Sequence, residues 1–325
     1  MILALDAMGG DYAPEEIIKG AVDACGEKGG DLKIFLIGRK DEIKKYPLAD
    51  TMEIIDTDVS IGMDEHPAEA FKKKKNSSMG IGINLQKEGK ADAFLSAGNT
   101  GALVAFSLLT LGRLKGVRRP ALATFFPTKR GHSLVLDVGA NSEVKPEFLY
   151  QFGVMGSIYL QRVYGINRPS VGLLSMGEER IKGGSLIQEA HRLLEGGSIN
   201  FYGNIEGHDI LEGKTDICVT GGFTGNAILK FGESLVSFVM DILKDEIYRS
   251  FRAKMGAFLM KPAFYNLLSK VNYEEYGGAV LLGVDGISVA SHGKSKAKAI
   301  KNAINLTYRF YQERVNEVIK EELLA

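Results

Sequence analysis

The sequence predicts a three-layer α/β/α fold on a mostly parallel sheet, and three observations carry that prediction. Short apolar runs rich in β-branched residues alternate with stretches of helical periodicity. Glycine-rich turns follow those runs, with 39 glycines in 325 residues against the ~7% of average usage. No linker rich in proline and serine interrupts the alternation, so residues 1–325 read as one catalytic domain with room for two lobes.

The first unit runs from Ile2 to Asp6, turns through Ala7, Met8, Gly9, Gly10 and Asp11, and enters a helix that Pro14 can start from its first turn. A second strand, Leu32 to Ile37, stops at Gly38. The third unit has Ala91 to Ser96, the loop Gly98, Asn99, Thr100 and Gly101, and an apolar helix from Ala102 to about Leu111. In the fourth, Leu134 to Leu136 lead through Asp137, Val138, Gly139, Ala140 and Asn141 to a helix near Pro146 to Val163. The fifth passes from Val171–Leu174 through Gly177, Glu178 and Glu179 to Lys182, Gly183 and Gly184 ahead of a helix. The sixth places Gly221, Gly222, Phe223, Thr224, Gly225 and Asn226 between Ile217–Val219 and a long helix.

From about Ser234 to Val271 the pattern becomes two consecutive helices, with Gly256 and Pro262 near their junction. Phe258, Leu259, Phe264, Leu267 and Leu268 stand here among Arg252, Lys254, Lys261 and Lys270. Core, a dimer-forming hairpin and a surface resting on anionic lipid are the three destinations for such a segment. Lysine-flanked aromatics near a turn favour a projecting contact surface.

Forty Lys plus Arg balance forty Asp plus Glu, so no overall field attracts nucleic acid, and a charge-guided partner must meet a local patch. Cys25 and Cys218 have no companions at metal-ligand or redox spacing, which suits a reducing cytoplasm. Met1 to Leu5 are too soon interrupted by Asp6 to form a signal peptide's apolar region. No stretch approaches the ~18 apolar residues of a membrane-spanning helix. The expected location is cytoplasmic, with room for a peripheral contact on the inner face of the membrane.

In open α/β sheets ligands lie beyond the carboxyl ends of the strands, so the five glycine loops are expected to share one crevice. Glycine lets backbone approach an anion, and helix N-termini add unpaired N–H groups and partial positive charge. Phosphate is the natural guest. Ser96 to Gly101 (SAGNTG) and Gly221 to Asn226 (GGFTGN) are the sharpest of these loops. A single such loop is explained equally well by glycines that only turn the chain; several in order are not. Neither is a Walker A sequence, and Gly9 to Asp11 lacks the spacing of a dinucleotide fingerprint. His66, His132, His191, His208 and His292 show no metal-ligand spacing, and no G-x-S-x-G elbow occurs, so neither a metal nor a cofactor is expected.

Met8-Gly9-Gly10-Asp11, Lys74-Lys75-Asn76-Ser77-Ser78-Met79, Ser96 to Ala102, Leu136 to Asn141 and Gly222 to Asn226 together resemble the bacterial phosphate acyltransferases, in order, from Met1 to Tyr276-Gly277-Gly278 and beyond. The resemblance implies acyl phosphate formation from fatty acyl-acyl carrier protein and inorganic phosphate for phospholipid synthesis. It also implies a homodimer with a fold like that of isocitrate and isopropylmalate dehydrogenases, without their cofactor. Gly221 stands where the family usually has Asp, and Tyr12 where it commonly has His.

Phosphate is already a nucleophile, and a thiol with a pKa near ~8.5 leaves readily, so direct attack needs neither a metal nor a covalent enzyme intermediate. Lys182 is the candidate to offset phosphate's charge, and Asn226, at a helix start, the candidate to orient the reacting group. A solvated lysine and a helix-capping asparagine are the plain alternatives. The resemblance places both among the catalytic positions. Asp6, Asp137 and Asn141 could orient loops or hydrogen-bond a phosphate oxygen, or satisfy turn N–H groups. With them, Gly9, Gly10, Ser96, Gly98, Asn99, Thr100, Gly101, Gly139, Gly177, Gly222, Phe223, Thr224 and Gly225 make up the expected phosphate and substrate site. Lys72, Lys73, Lys74 and Lys75 form the one strong charge run, either a solvated helix face or a docking patch for acidic acyl carrier protein. Phe258, Leu259, Phe264 and Leu267 are the membrane-contact candidates, and the next acyltransferase of the pathway a further partner. The rivals are a coenzyme A-dependent phosphate acyltransferase and a non-catalytic, membrane-associated scaffold that binds a phosphorylated ligand.

Overall fold

A computed structural model describes residues 1–271 and 277–324. Tyr276 and the side chains of Leu268 and Lys270 lie outside the described residues. In chain order the strands are β1 (Ile2–Asp6), β2 (Lys33–Gly38), β3 (Met52–Asp56), β4 (Ala93–Ser96), β5 (Ala121–Thr128), β6 (Gly131–Leu136), β7 (Ser170–Leu174), β8 (Asn200–Ile205), β9 (Ile217–Val219), β10 (Ala279–Leu282) and β11 (Ser288–Ala290). The helices of the first half are α1 (Glu15–Lys28), α2 (Lys40–Ile43), α3 (Pro67–Lys73), α4 (Ser78–Lys87), α5 (Thr100–Thr110) and α6 (Pro146–Tyr164). Those of the second are α7 (Ser185–Glu195), α8 (Gly207–Glu212), α9 (Gly222–Tyr248), α10 (Phe251–Leu259), α11 (Lys261–Val271), α12 (Ala297–Gln312) and α13 (Val315–Glu322).

The strands form one sheet in the order β3-β2-β1-β4-β11-β10-β5-β6-β9-β7-β8. Period-two alternation splits each strand's apolar residues between its faces. Leu3, Leu5, Ile34, Leu36, Leu134 and Leu136 pack with α1, α6, α7, α12 and α13, whereas Ala4, Ile37, Phe94 and Val135 pack with α3, α4, α5 and α8. The three-layer α/β/α expectation therefore holds, because a sheet apolar on both faces must be covered on both.

One expectation is corrected. The pairing is parallel from β3 to β11, but β10 is antiparallel to both β11 and β5, and β5 is antiparallel to β6. The β6-β9-β7-β8 half thus runs opposite to the β3-β2-β1-β4-β11 half. The glycine loops consequently do not share one crevice at one edge: those after β1 and β4 lie at one edge of the sheet, and those after β6, β7 and β9 at the other. The helix α9 begins at the second edge and reaches the first, where Glu233 approaches His292 in the loop after β11.

The segment from Ser234 to Val271 is also differently divided. Residues 234–248 continue α9 without a break, and the first break falls at Arg249–Ser250, where the Ser250 hydroxyl accepts from Ala253 N to cap α10. Gly256 lies inside α10, and Pro262 sits in the first turn of α11, where a missing N–H costs no helical bond. Among the described residues no helix is long and apolar enough to cross a membrane.

Candidate active site

At the edge where β6, β9 and β7 end side by side, Asp137 organises the first loop. Its side chain is fully buried, and Oδ1 accepts from Leu122 N (3.0 Å), Ala140 N (2.9 Å) and Gly139 N (3.2 Å). Oδ2 accepts from Asn141 N (2.9 Å) and Asn141 Nδ2 (2.8 Å). Burial pushes this carboxyl above the ordinary aspartate range, and those donors pull against the rise. The same Asn141 amide donates to Pro120 O at 2.7 Å, tying the loop to the segment ahead of β5. Asp137 and Asn141 are thus occupied in holding the loop.

The N-terminus of α9 is laid directly on this loop. A Cβ at Gly222 would stand 2.7 Å from Asp137 Oδ2, and one at Gly225 would overlap the Asp137 carbonyl oxygen. Only glycine admits this approach. Asn226 follows one residue later, exposed, 3.6 Å from the point a Cβ on Gly139 would occupy. Its amide makes no hydrogen bond to the protein among the described residues, so it is not the helix cap. The N-cap is Gly221, which has no side chain to offer; a Cβ there would meet Val144 Cγ2 at 3.0 Å.

A cleft of about 430 Å³ opens at this place, lined by Ser142, Glu143, Val144, Leu186, Gly221, Phe223 and Thr224. Two helices, α9 and the 11-residue α7, begin on it, so unpaired N–H groups and the positive ends of two helix dipoles face the same space. An anion is the ligand this arrangement suits.

The turn after β7 carries Lys182. Gly177 lets the Lys182 stem fold over it, since a Cβ there would lie 2.9 Å from Lys182 Cγ. The residues from Glu178 to Ile181 are pinned. Lys214 bridges Glu178 and Asp209 (3.1 Å to the latter), and Arg180 pairs with Glu195 at 2.9 Å. Asn204 Nδ2 donates to Glu179 O at 3.0 Å, and Gln188 Nε2 donates to Ile181 O at 2.8 Å. The Glu178 carboxylate, followed by Asp209, holds the Lys214 ammonium above the usual lysine range. Lys182 itself is exposed, and its ammonium has neither an ion pair nor a hydrogen bond among the described residues.

The other glycine loops make a separate, tightly closed group. Asp6 Oδ2 accepts from Ser96 Oγ (2.7 Å), Oδ1 accepts from Met8 N (3.0 Å), and Ser96 Oγ accepts from Gly98 N (2.9 Å). A Cβ on Gly9 would stand 2.7 Å from Asp6 Oδ2 and 2.8 Å from Gly98 N. Asn99 caps α5 through Ala102 N (3.0 Å), and its Nδ2 donates to Glu65 O (2.9 Å). Thr100 and Gly101 open that helix, Gly101 against Pro67, and Gly10 turns the chain at φ +99°. In this group the polar atoms answer one another.

Lys73 pairs with Glu69 (2.8 Å), Lys74 with Glu65 (2.6 Å), and Lys75 lies over the Phe71 ring, so two of the four lysines are ion-paired where they stand. Phe258, Leu259 and Leu267 are 72%, 77% and 49% exposed, and Phe264 is half-buried. Cys218 is buried in β9, which pushes its thiol up to about 12 and leaves it inert. Among the described residues no three His, Cys, Asp or Glu gather to hold a metal. Sequence reasoning missed Val144, Leu186 and the pinning residues Asn204 and Lys214, and it named His191 without its partner. His191, 6% exposed, meets Asn204 Oδ1 at 2.9 Å, and nothing in the sequence around it signals that partner.

A family model described as "Fatty acid synthesis protein" matches residues 1–318. A phosphate acyltransferase of Heliobacterium modesticaldum is 48% identical over 99% of this chain and 98% of its own. A phosphotransacetylase structure from Streptococcus pyogenes superposes with a TM-score of 0.63 at 16% identity, over 96% of this chain and 94% of that one. A putative 4-hydroxythreonine-4-phosphate dehydrogenase from Salmonella typhimurium gives 0.54 at 15% identity, over 95% and 98%. At such identities these two structures are alike in fold alone.

Proposed function

The chain belongs to the phosphate acyltransferase family of fatty acid synthesis, and from that premise we propose that inorganic phosphate directly attacks the thioester of a fatty acyl-acyl carrier protein. A phosphate oxygen bonds to the carbonyl carbon, the C–S bond breaks, and the carrier's thiolate leaves and takes up a proton. Acyl phosphate for phospholipid synthesis is the product.

The observation that carries this reading is the cleft at the joint start of α7 and α9. Lys182, on the turn leading into α7, and Asn226, in the first turns of α9, follow closely in sequence on its lining elements and have side chains uncommitted among the described residues. Helix N–H groups at Phe223 and Thr224 hold the phosphate, and Lys182 offsets its charge. Asn226 donates to the oxyanion that forms as the carbonyl becomes tetrahedral, a kind of contact worth ~10²-fold or more in rate. A protein face covers the exposed apolar side of α9, where Phe231, Phe238 and Val239 are 69%, 61% and 52% exposed. A second copy of the chain suits that face. Beyond it, α10 and α11 rest on the anionic inner face of the membrane, where the product passes to the next acyltransferase.

Incubation with palmitoyl-acyl carrier protein and labelled orthophosphate should yield palmitoyl phosphate, and Lys182→Ala and Asn226→Ala should each cut turnover ~10²-fold while the protein stays folded. Normal turnover in both variants would remove the assignment. Use of palmitoyl-coenzyme A in place of the carrier would change the donor.

A further inference from the structure

We propose that the acidic carrier docks on a second, basic cleft that adjoins the first, an inference that rests on the carrier being the donor. This cleft, of about 510 Å³, is lined by Arg113, Arg118, Arg119 and Lys145 over an apolar floor of Leu108 and Phe148. Glu147 is its single acid. All four cations are exposed, and none has an ion pair among the described residues, in contrast to Lys73 and Lys74. Four cations against one carboxylate around one depression, in a chain of zero formal net charge, make a local field for an anionic partner. Three are arginines, whose planar forks suit carboxylates and phosphodiesters alike.

The platform is rigid. Gln151 accepts from Arg118 N (2.8 Å) and donates to Gly116 O (2.9 Å), and Leu114 N donates to Gly283 O (3.0 Å). It is also joined to the reaction site. Asn141 holds Pro120 O, next to Arg119, with the amide group that also meets Asp137. Residues 142–144 line the first cleft, while 145, 147 and 148 line the second. A carrier seated on the arginines has only Val144 and its neighbours between its anchor and the α9 N-terminus, so a thioester on a flexible arm reaches the phosphate.

The test compares palmitoyl-acyl carrier protein with palmitoyl-pantetheine, which lacks the protein, as donors for wild type and Arg118→Glu/Arg119→Glu. The double variant should raise KM for the carrier donor about tenfold or more at low salt with kcat nearly unchanged, and the gap should narrow at high salt. Kinetics with palmitoyl-pantetheine should stay at wild-type values, which also shows that the variant is folded. Arg118→Gln/Arg119→Gln should give a smaller shift in the same direction, and Lys87→Glu none. An unchanged carrier KM, an equal loss with both donors in the Glu and Gln variants, or a KM that responds only to Lys72→Glu/Lys75→Glu would overturn the proposal. A wild type active on palmitoyl-pantetheine yet inactive on the carrier donor would instead remove the donor reading beneath it.

Discussion

Gly225 lies against the backbone of Asp137 so closely that a single added carbon would overlap the Asp137 carbonyl oxygen. The start of α9, with Asn226 on it, is placed by that contact. Gly225→Ala is therefore expected to push the helix off the loop, at ~1–3 kcal/mol in stability together with most of the turnover. Gly256→Ala, whose added carbon meets nothing within 4 Å inside α10, should instead stabilise by ~0.5–1 kcal/mol. Thermal unfolding of the pair checks both signs; equal shifts would show that the contact places nothing.

Asp6 gives a dependence on pH. Burial raises its carboxyl above the ordinary aspartate range, against hydrogen bonds from Ser78, Ser96, Met8 N and Gly9 N. An acid whose folded pKa is raised contributes stability that is complete below its unfolded value of ~3.9 and is lost as pH rises through the folded value. The stability of wild type relative to Asp6→Asn should accordingly fall as pH is raised from ~4 towards neutrality. Chemical denaturation of both proteins across that range measures it, and a rising difference would contradict the account.

With Lys182 in its proposed role, Asn204 and His191 are expected to act on the reaction through the turn that carries it. Asn204 Nδ2 holds Glu179 O, and His191 holds the Asn204 amide oriented. Asn204→Ala should lower kcat about tenfold or more, since small misplacements of a positioned group cost that much. In a Lys182→Ala background the same change should cost little further, because the two act as a unit. Additive losses in this cycle would make Asn204 a purely structural residue.

Phe258 and Leu259 project from the end of α10 at 72% and 77% exposure, with Lys254 and Lys261 close in sequence. Vesicles of anionic phospholipid should sediment the wild-type protein, and Phe258→Glu/Leu259→Glu should stay in the supernatant with carrier-dependent turnover in solution preserved. Equal retention of both proteins would count against membrane contact.

The residues alone determined the layers and the chemistry of the loops. Alternating apolar runs such as Leu3-Ala4-Leu5 and Leu134-Val135-Leu136 fill both faces of a sheet wherever it lies, so a three-layer fold follows from local periodicity. The ordered glycine motifs likewise carried the family. Tertiary structure alone decided which loops meet. Strand direction is not written in an apolar run, and the antiparallel β10 and β5 reverse half of the sheet, parting Asp6, Ser96 and Asn99 from Asp137, Lys182 and Asn226. It also decided which charges are free. The lysine run from 72 to 75 is conspicuous in sequence yet Lys73 and Lys74 find Glu69 and Glu65 within reach, while scattered Arg113, Arg118, Arg119 and Lys145 converge without an ion pair among the described residues, because ion pairing depends on distance in space and not along the chain.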